Sequence, residues 1–202
     1  AQDAVRENYR ELMSDLLELG INITCAPVVD VHFEGAHDVI GDRAFSNDPY
    51  IVSALSIATL EGLRAAGGDG VIKHIPGHGR SACDSHLDLP IVDAPLSELE
   101  ATDFAAFEPL ANIATYAMTA HIIYTALDPH LPATLSKTVI DYIRNEIGFT
   151  GKLMTDDLSM KALKGSFTEL TKKSLEAGCD LILHCNGKME EMIEIAGAIS
   201  AE

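Results

Sequence analysis

Two groups of polar residues follow apolar runs in this chain, and both carry side chains suited to catalysis. The first spans residues 73–79 (KHIPGHG) and 84–86 (DSH), which place three histidines, a lysine and an aspartate within fourteen positions. The second, residues 155–157 (TDD), follows the run 152–154 (KLM). A loop with so many polar side chains usually serves a function. We predict that the two groups form one active site.

The pair of Asp84 and His86 is suited to proton transfer. A carboxylate two residues before an imidazole can accept a hydrogen bond from the ring, which fixes the tautomer and stabilises the imidazolium form. Such a histidine exchanges protons near neutral pH. The alternative is a solvated loop in which Asp84 forms an Asx turn.

Asp156 and Asp157 are both candidates for a nucleophile, because a carboxylate held in a polar pocket can attack the anomeric carbon of a sugar. Neighbouring side chains on a strand or tight turn tend to point in opposite directions. One of Asp156 and Asp157 can therefore face the pocket while the other orients the following segment. Two adjacent aspartates after a strand also occur as helix N-caps, and that alternative stays open.

Three cations near the histidine-rich loop could form a basic pocket. Lys73 comes at the predicted end of a strand, where a charge needs a partner or a ligand. Arg43 could bind a polar ligand through two parallel hydrogen bonds, or form a surface ion pair. Arg80 is close enough in sequence to contribute to the same pocket.

A metal site is an alternative chemistry for this loop. His74, His78 and His86 with Asp84 offer suitable ligands, but their spacing matches no helical or zinc-finger pattern. His121, at the end of another apolar run, could act in the site or be a hydrogen-bonded core histidine. The sequence predicts neither a metal nor a cofactor.

The composition argues against several classes of partner. Hydrophobic residues make up 47% of the 202 residues, which predicts a globular domain with a buried core. The formal net charge of −17 predicts repulsion of nucleic acid and of anionic lipid membranes. No run reaches the roughly 18 apolar residues of a membrane span. The four cysteines lack CxxC spacing and predict reduced thiols in a cytoplasm.

Helical and strand patterns alternate along the chain. Predicted helices cover residues 4–19, 50–66, 98–112, 136–146, 166–177 and 188–200, and predicted strands cover 21–29, 71–73, 115–120, 151–155 and 180–184. The helix over 98–112 rests on Ser97 and Glu100, which match a capping box. About five alternations indicate parallel β/α units in a single domain.

Functional groups in β/α folds gather at the carboxyl ends of the strands. In this chain the rule selects Asp30, Lys73, His74, His121, Asp156 and His184. A closed eight-stranded barrel takes about 250 residues. The chain is therefore expected to form either an open sheet or part of a barrel.

Taken together, the motifs resemble those of glycoside hydrolase family 3, in particular its bacterial β-N-acetylglucosaminidases of peptidoglycan recycling. The resemblance covers nearly the whole chain, and its most specific part is KHIPGHG with DSH. It is carried by residues 26–31 (APVVDV), 41–45 (GDRAF), 73–79, 84–86, 120–124 (AHIIY), 155–160 (TDDLSM) and 177–180 (AGCD). It implies an α/β fold, a partial (β/α)8 TIM barrel with about five β/α units. Residues 1–202 would be one catalytic domain, truncated at its N-terminus relative to the family.

The resemblance also implies roles for single residues. Asp156 matches the family's nucleophile, and His86 matches a mobile acid/base with Asp84 as its partner. The residues that match those binding N-acetylglucosamine are Arg43, Lys73 and His74.

The activity implied is that of a cytoplasmic retaining exo-β-N-acetylglucosaminidase. It would remove terminal non-reducing N-acetylglucosamine from muropeptides, with a histidine in place of the second carboxyl group of most glycosidases. Two alternatives stay open: a catalytically silent N-acetylglucosamine-binding fragment, and a metal-dependent hydrolase that uses the histidine-rich loop. A β-glucosidase fits less well, because those members of the family usually take the acid/base from another domain.

Overall fold

Parallel strands and helices alternate along the computed structural model, which describes residues 1–81 and 89–200. The strands are β1 (Ile23–Thr24), β2 (Asp69–Ile75), β3 (Ile91–Val92), β4 (Tyr116–Thr119), β5 (Ile123–Tyr124) and β6 (Lys152–Met154). The α-helices are α1 (Gln2–Glu18), α2 (Pro49–Ala66), α3 (Leu96–Ala101), α4 (Lys137–Asn145), α5 (Phe167–Ala177) and α6 (Met189–Ile199). Short 3₁₀ helices cover Gly41–Arg43, Glu108–Leu110 and Ala133–Leu135.

The main sheet follows the order of the chain. Strands β1, β2, β4 and β6 lie side by side in that order, and every pair is parallel. A parallel bridge between Met154 and Leu181 adds a fifth segment beside β6. The order never reverses, unlike that of a doubly wound sheet, which has a switch point. The five units therefore form an arc of a (β/α)8 barrel, as predicted.

Helix α2 shows how local sequence sets an element of this arc. The Asp48 carboxylate accepts a hydrogen bond from the Tyr50 N–H (2.8 Å), and Pro49 occupies the first turn, where a backbone N–H would have no helical partner. Gly67 ends the helix with a φ of 102°, a left-handed conformation that glycine adopts without strain. The predicted helix over 50–66 is confirmed.

Capping side chains begin two further helices where predicted. Ser136 caps α4 through the N–H of Val139, and Ser166 with Glu169 forms a capping box at the start of α5. The carboxyl end of α5 is at Gly178, also as predicted.

Apolar side chains of the strands pack against the helices to form the core. Ile72, Ala117 and Leu153, from three neighbouring strands, are fully buried together with Leu60 of α2 and Val139 of α4. A smaller cluster packs the segment after β6 against α5, through Leu158, Leu163 and Leu170. These contacts hold the carboxyl ends of the strands in fixed positions.

The helix predicted over 98–112 is confirmed only in its first turn and is wrong in its length. Helix α3 begins after Pro95 and ends at Ala101, and no side chain caps it. The chain then turns, because Thr102 and Asp103 bind Arg80. A short helix here lets the following segment enter the core.

The strands differ from the prediction in three further places. The strand predicted over 21–29 is reduced to β1 at Ile23–Thr24. The strand predicted over 180–184 is reduced to the bridge at Leu181. The parallel pair of β3 and β5 was not predicted, since two-residue strands carry no periodic signal.

Within residues 1–81 and 89–200, no helix has both the length and the apolar composition that a membrane span requires.

Candidate functional site

A cleft of about 240 Å³ is lined by the carboxyl ends of β2, β4 and β6 and by the loop after β1. Its ionisable lining includes Arg43, Lys73, His74, His78, Asp156 and Asp157. The rule that functional groups gather at strand ends thus brings Lys73, His74 and His78 to one place with Asp156 and Asp157. The remaining lining is largely apolar and includes Met118, Met160 and Leu183.

Asp156 is a half-buried carboxylate of the cleft. Its Oδ1 accepts a hydrogen bond from the Asp157 N–H at 2.8 Å. Burial by itself would raise the pKa of Asp156, but attraction to His74 and His121 and the hydrogen bond from Asp157 lower the pKa below its usual value. The carboxylate is therefore ionised at neutral pH, the form required of a nucleophile.

Asp157 is tied to the backbone that follows it. Its Oδ1 accepts hydrogen bonds from the N–H groups of Ser159 and Cys185, both at 3.0 Å, and its Oδ2 accepts one from the Ser159 hydroxyl at 2.6 Å. Of the two aspartates, Asp157 thus orients the loop, while Asp156 keeps its second oxygen for other contacts.

The ring of His74 is held from behind by Asp30, which is completely buried. Asp30 Oδ2 lies 2.7 Å from His74 Nδ1, and Oδ1 accepts the backbone N–H groups of His74 (3.1 Å) and His78 (2.6 Å). Burial would raise the pKa of Asp30, but His74 and His78 lower it below the usual value. One ionised carboxylate therefore fixes both histidines of residues 73–79.

The two other histidines of this region are neutral at pH 7. Burial and the nearby His74 lower the pKa of His78 to about 4. Burial also lowers the pKa of His121, whose Nδ1 lies 2.7 Å from the Thr134 hydroxyl and whose Nε2 lies 3.1 Å from the Asp157 carbonyl oxygen. His121 is therefore a hydrogen-bonded core histidine beneath the cleft.

The basic side of the cleft consists of Lys73 and Arg43. Arg43 is exposed and donates one hydrogen bond to the Val39 carbonyl oxygen (2.9 Å), which leaves other N–H groups of its guanidinium for a ligand. The predicted contribution of Arg80 is wrong. Its guanidinium binds Asp103 (2.6 Å) and Glu98 (2.7 Å) beside α3, so its charge is neutralised there.

His184, which the strand-end rule also selects, faces α6 instead of the cleft. Its Nε2 lies 2.8 Å from Glu191 and its ring packs edge-on against Phe167. The chain makes a bridge only at Leu181, so His184 lies beyond the sheet and turns toward the last helix.

Asp84 and His86 lie outside the described residues, so their roles as acid/base and partner stay predictions. Within residues 1–81 and 89–200, no three potential metal-binding side chains converge on one point. The metal hypothesis that includes His86 and Asp84 is therefore not tested by the structure.

Comparison with known proteins identifies the family. A family model described as the glycosyl hydrolase family 3 N terminal domain matches residues 1–201. The chain belongs to this family. The α/β architecture with neighbouring parallel strands agrees with the barrel-like fold of the glycosyl hydrolase family 3 N-terminal domain.

Curated relatives named beta-hexosaminidase match most of this chain. A beta-hexosaminidase of Alkalilimnicola ehrlichii is 43% identical over 179 residues, and one of Nitrosomonas eutropha is 37% identical over 178 residues. Each alignment covers 87% of this chain and 51% of the relative. The chain thus spans about half the length of these relatives.

Two solved structures superpose closely on this chain. A β-N-acetylglucosaminidase from Paenibacillus sp. matches all of this chain and 39% of its own, with a TM-score of 0.95 and 33% identity. The NagZ protein of Neisseria gonorrhoeae, in complex with N-trifluoroacetyl-D-glucosamine, has a TM-score of 0.87 and 34% identity, over 99% of this chain and 57% of its own.

Sequence reasoning did not anticipate some residues of this family 3 cleft. Cys25 and Cys185 line it, although their spacing carries no recognisable signal. The strand-end rule selected Asp30 but could not reveal its pairing with His74, because the two are 44 residues apart.

The turn at Gly77 provides a first testable prediction. The hydroxyl of the fully buried Tyr124 donates a hydrogen bond to the Gly77 carbonyl oxygen at 2.6 Å. Tyr124→Phe removes this donor with little change in volume, so we expect the free energy of unfolding to fall by about 1–2 kcal/mol. Urea denaturation measures it. Tyr50→Phe, at a residue that is 77% exposed, is the matched control and should change little; equal stability of both variants would contradict the prediction.

Proposed function

We propose that this chain carries the catalytic site of a retaining exo-β-N-acetylglucosaminidase that acts on muropeptide fragments of peptidoglycan. The observation on which the proposal rests is the Asp156 carboxylate in a cleft that also presents Lys73 and Arg43. Such a site suits a polyhydroxylated, uncharged ring that is attacked by a carboxylate. The relatives named beta-hexosaminidase support the same chemistry.

Two displacements at the anomeric carbon complete the reaction. In the first, Asp156 attacks the carbon while the imidazolium of His86 donates its proton to the leaving oxygen. The glycosidic bond breaks and a glycosyl ester of Asp156 forms. In the second, neutral His86 takes a proton from water, the water oxygen attacks the same carbon, and Asp156 leaves as a carboxylate. Two inversions give net retention.

The other residues have supporting roles in this proposal. Asp84 accepts a hydrogen bond from His86 and stabilises its imidazolium form. The N-acetylglucosamine hydroxyls bind Arg43, Lys73 and His74, whose side chains line the cleft. The acetamido group does not act as the nucleophile, because Asp156 supplies a carboxylate.

We further propose that residues 1–202 act as one catalytic domain in the cytoplasm. The free thiols of Cys25, Cys179 and Cys185 support this location, since a reducing compartment keeps thiols unpaired.

Release of p-nitrophenol from its N-acetyl-β-glucosaminide tests the proposal directly. We expect turnover that a chelator leaves unchanged, with the β-anomer of N-acetylglucosamine as the first product in proton NMR spectra. The α-anomer as first product would contradict retention, and loss of activity with the chelator would favour the metal-dependent hydrolase. Binding of N-acetylglucosamine without turnover would favour a sugar-binding role.

The pH dependence of kcat/KM provides a second prediction. Asp156 acts when deprotonated, so activity is present above the pKa of Asp156 and is lost as the pH falls through that pKa. Because the pKa lies below the usual 3.8, we expect the acid limb of the profile below about pH 4. His86 acts first when protonated, so activity should fall again as the pH rises through the pKa of this histidine. Rates are measured beside circular dichroism at each pH, as a control for folding. An acid limb centred above about pH 5 would contradict the assignment of Asp156.

A further inference from the structure

The buried carboxylate of Asp30 decides which nitrogen of His74 is available to a ligand. The carboxylate accepts three hydrogen bonds: from the backbone N–H groups of His74 and His78, and at 2.7 Å from His74 Nδ1. An ionised carboxylate can only accept hydrogen bonds, so the Nδ1 atom must carry the hydrogen. In the neutral ring the lone pair is then on Nε2.

His74 lies between the buried Asp30 and the cleft. His74 lines the cleft and is 7% exposed, whereas Asp30 behind it is 0% exposed. Among the residues that the structure describes, Asp30 is the partner of the His74 ring, through Nδ1, and Nε2 makes no hydrogen bond. The opposite tautomer would set the Nδ1 lone pair against the carboxylate of Asp30, which is repulsive.

We propose that Asp30 is a positioning residue that holds His74 as the Nδ1–H tautomer, so that Nε2 accepts a hydrogen bond from one hydroxyl group of the sugar. The inference rests on the proposed function and adds a requirement to it. One position of the sugar must present a hydrogen-bond donor, because Nε2 offers only a lone pair. A site built in this way rejects analogues that lack the donor.

Asp30→Asn reverses this polarity with little change of shape. The amide oxygen of asparagine can still accept the backbone N–H groups of His74 and His78. Its NH2 group, however, donates to Nδ1, which moves the ring hydrogen to Nε2. His74 would then present a donor to the cleft instead of an acceptor.

The first experiment is NMR of protein with ¹⁵N-labelled histidine at neutral pH, with His74→Ala to assign the His74 signals. We expect a protonated Nδ1 and an unprotonated Nε2 in the native protein, and the reverse in Asp30→Asn. Asp15→Asn, which changes an exposed carboxylate on α1, is the matched control and should leave the signals unchanged. A protonated Nε2 in the native protein would overturn the inference. Because this measurement uses the native protein, it decides the point even if Asp30→Asn does not fold.

The second experiment is calorimetric titration with N-acetylglucosamine and its monodeoxyfluoro analogues. Fluorine accepts a hydrogen bond weakly and cannot donate one. We expect fluorine at one hydroxyl position to lower the affinity of the native protein for the sugar about tenfold or more. Asp30→Asn should bind the parent sugar more weakly than the native protein does. The loss of affinity that the same fluorine causes (the fluorine penalty) should be smaller in this variant. The same penalties in both proteins would overturn the inference.

The two experiments separate this inference from the proposed function. The protein could bind N-acetylglucosamine with the expected tautomers and with a smaller fluorine penalty in Asp30→Asn, yet not turn over the p-nitrophenyl substrate. That result would support the role of Asp30 and contradict the glycosidase. Normal turnover with the same fluorine penalty in both proteins would leave the glycosidase and overturn the role of Asp30.

Discussion

Asp156→Asn is expected to lower kcat/KM for p-nitrophenyl N-acetyl-β-glucosaminide by about 10⁴-fold or more. The asparagine is nearly isosteric but has no anionic oxygen with which to form the glycosyl ester. Its carbonyl oxygen still accepts the Asp157 N–H, so the loop should keep its shape. The measurement is release of p-nitrophenol, with circular dichroism to establish equal folding.

A neighbouring variant and a chemical rescue sharpen this test. Asp157→Asn is the matched control, because Asp157 binds Ser159 and Cys185 and is not the proposed nucleophile; we expect at most about a tenfold loss of activity. Azide should restore turnover to Asp156→Gly by attacking from the vacated side, giving an α-glycosyl azide. If Asp156→Asn retained more than a tenth of the native activity, Asp156 would not be the nucleophile.

Gly79→Ala is expected to cost about 3 kcal/mol or more of the free energy of unfolding. A Cβ atom on Gly79 would overlap the backbone carbonyl oxygen of Val31, which follows Asp30. The Cβ atom has a fixed position on the backbone and the Val31 oxygen is itself a backbone atom, so no rotation of a side chain can relieve the contact. The turn after β2 would have to move away from the loop after β1, and sugar affinity should fall with stability.

Gly197→Ala serves as the control for a glycine replaced where there is room. Gly197 lies inside α6, and a Cβ atom there meets nothing within 4 Å. Since alanine favours a helix over glycine by about 1 kcal/mol, this variant should be slightly more stable than the native protein. Urea denaturation of the three proteins measures both effects; a Gly79→Ala protein as stable as Gly197→Ala would contradict the close approach.

The part of the site that could be predicted from the sequence depends on the alternation of strands and helices along the chain. Apolar runs gave the strands, and the rule for strand ends brought Lys73, His74 and Asp156 to one cleft. This succeeded because the carboxyl ends of parallel strands share one edge, whatever the details of the loops.

The features that could not be predicted depend on contacts between residues that are distant in sequence. Arg80 was expected in the basic pocket, but Asp103, 23 positions further along the chain, binds its guanidinium at 2.6 Å. The same ion pair, with Thr102, turns the chain after α3 and ends the helix predicted to continue. The periodicity of apolar residues along the sequence indicates neither contact.

The order of strands in the main sheet has a consequence for folding kinetics. Each strand of the series β1, β2, β4, β6 lies beside the one before it and begins within about 50 residues of it. Pairing of this kind joins residues that are distant in sequence, and folding rates fall as contacting residues become more distant. During synthesis each strand meets a neighbour that has already left the ribosome. The sheet can therefore grow at one edge, unit by unit, at the pace of translation.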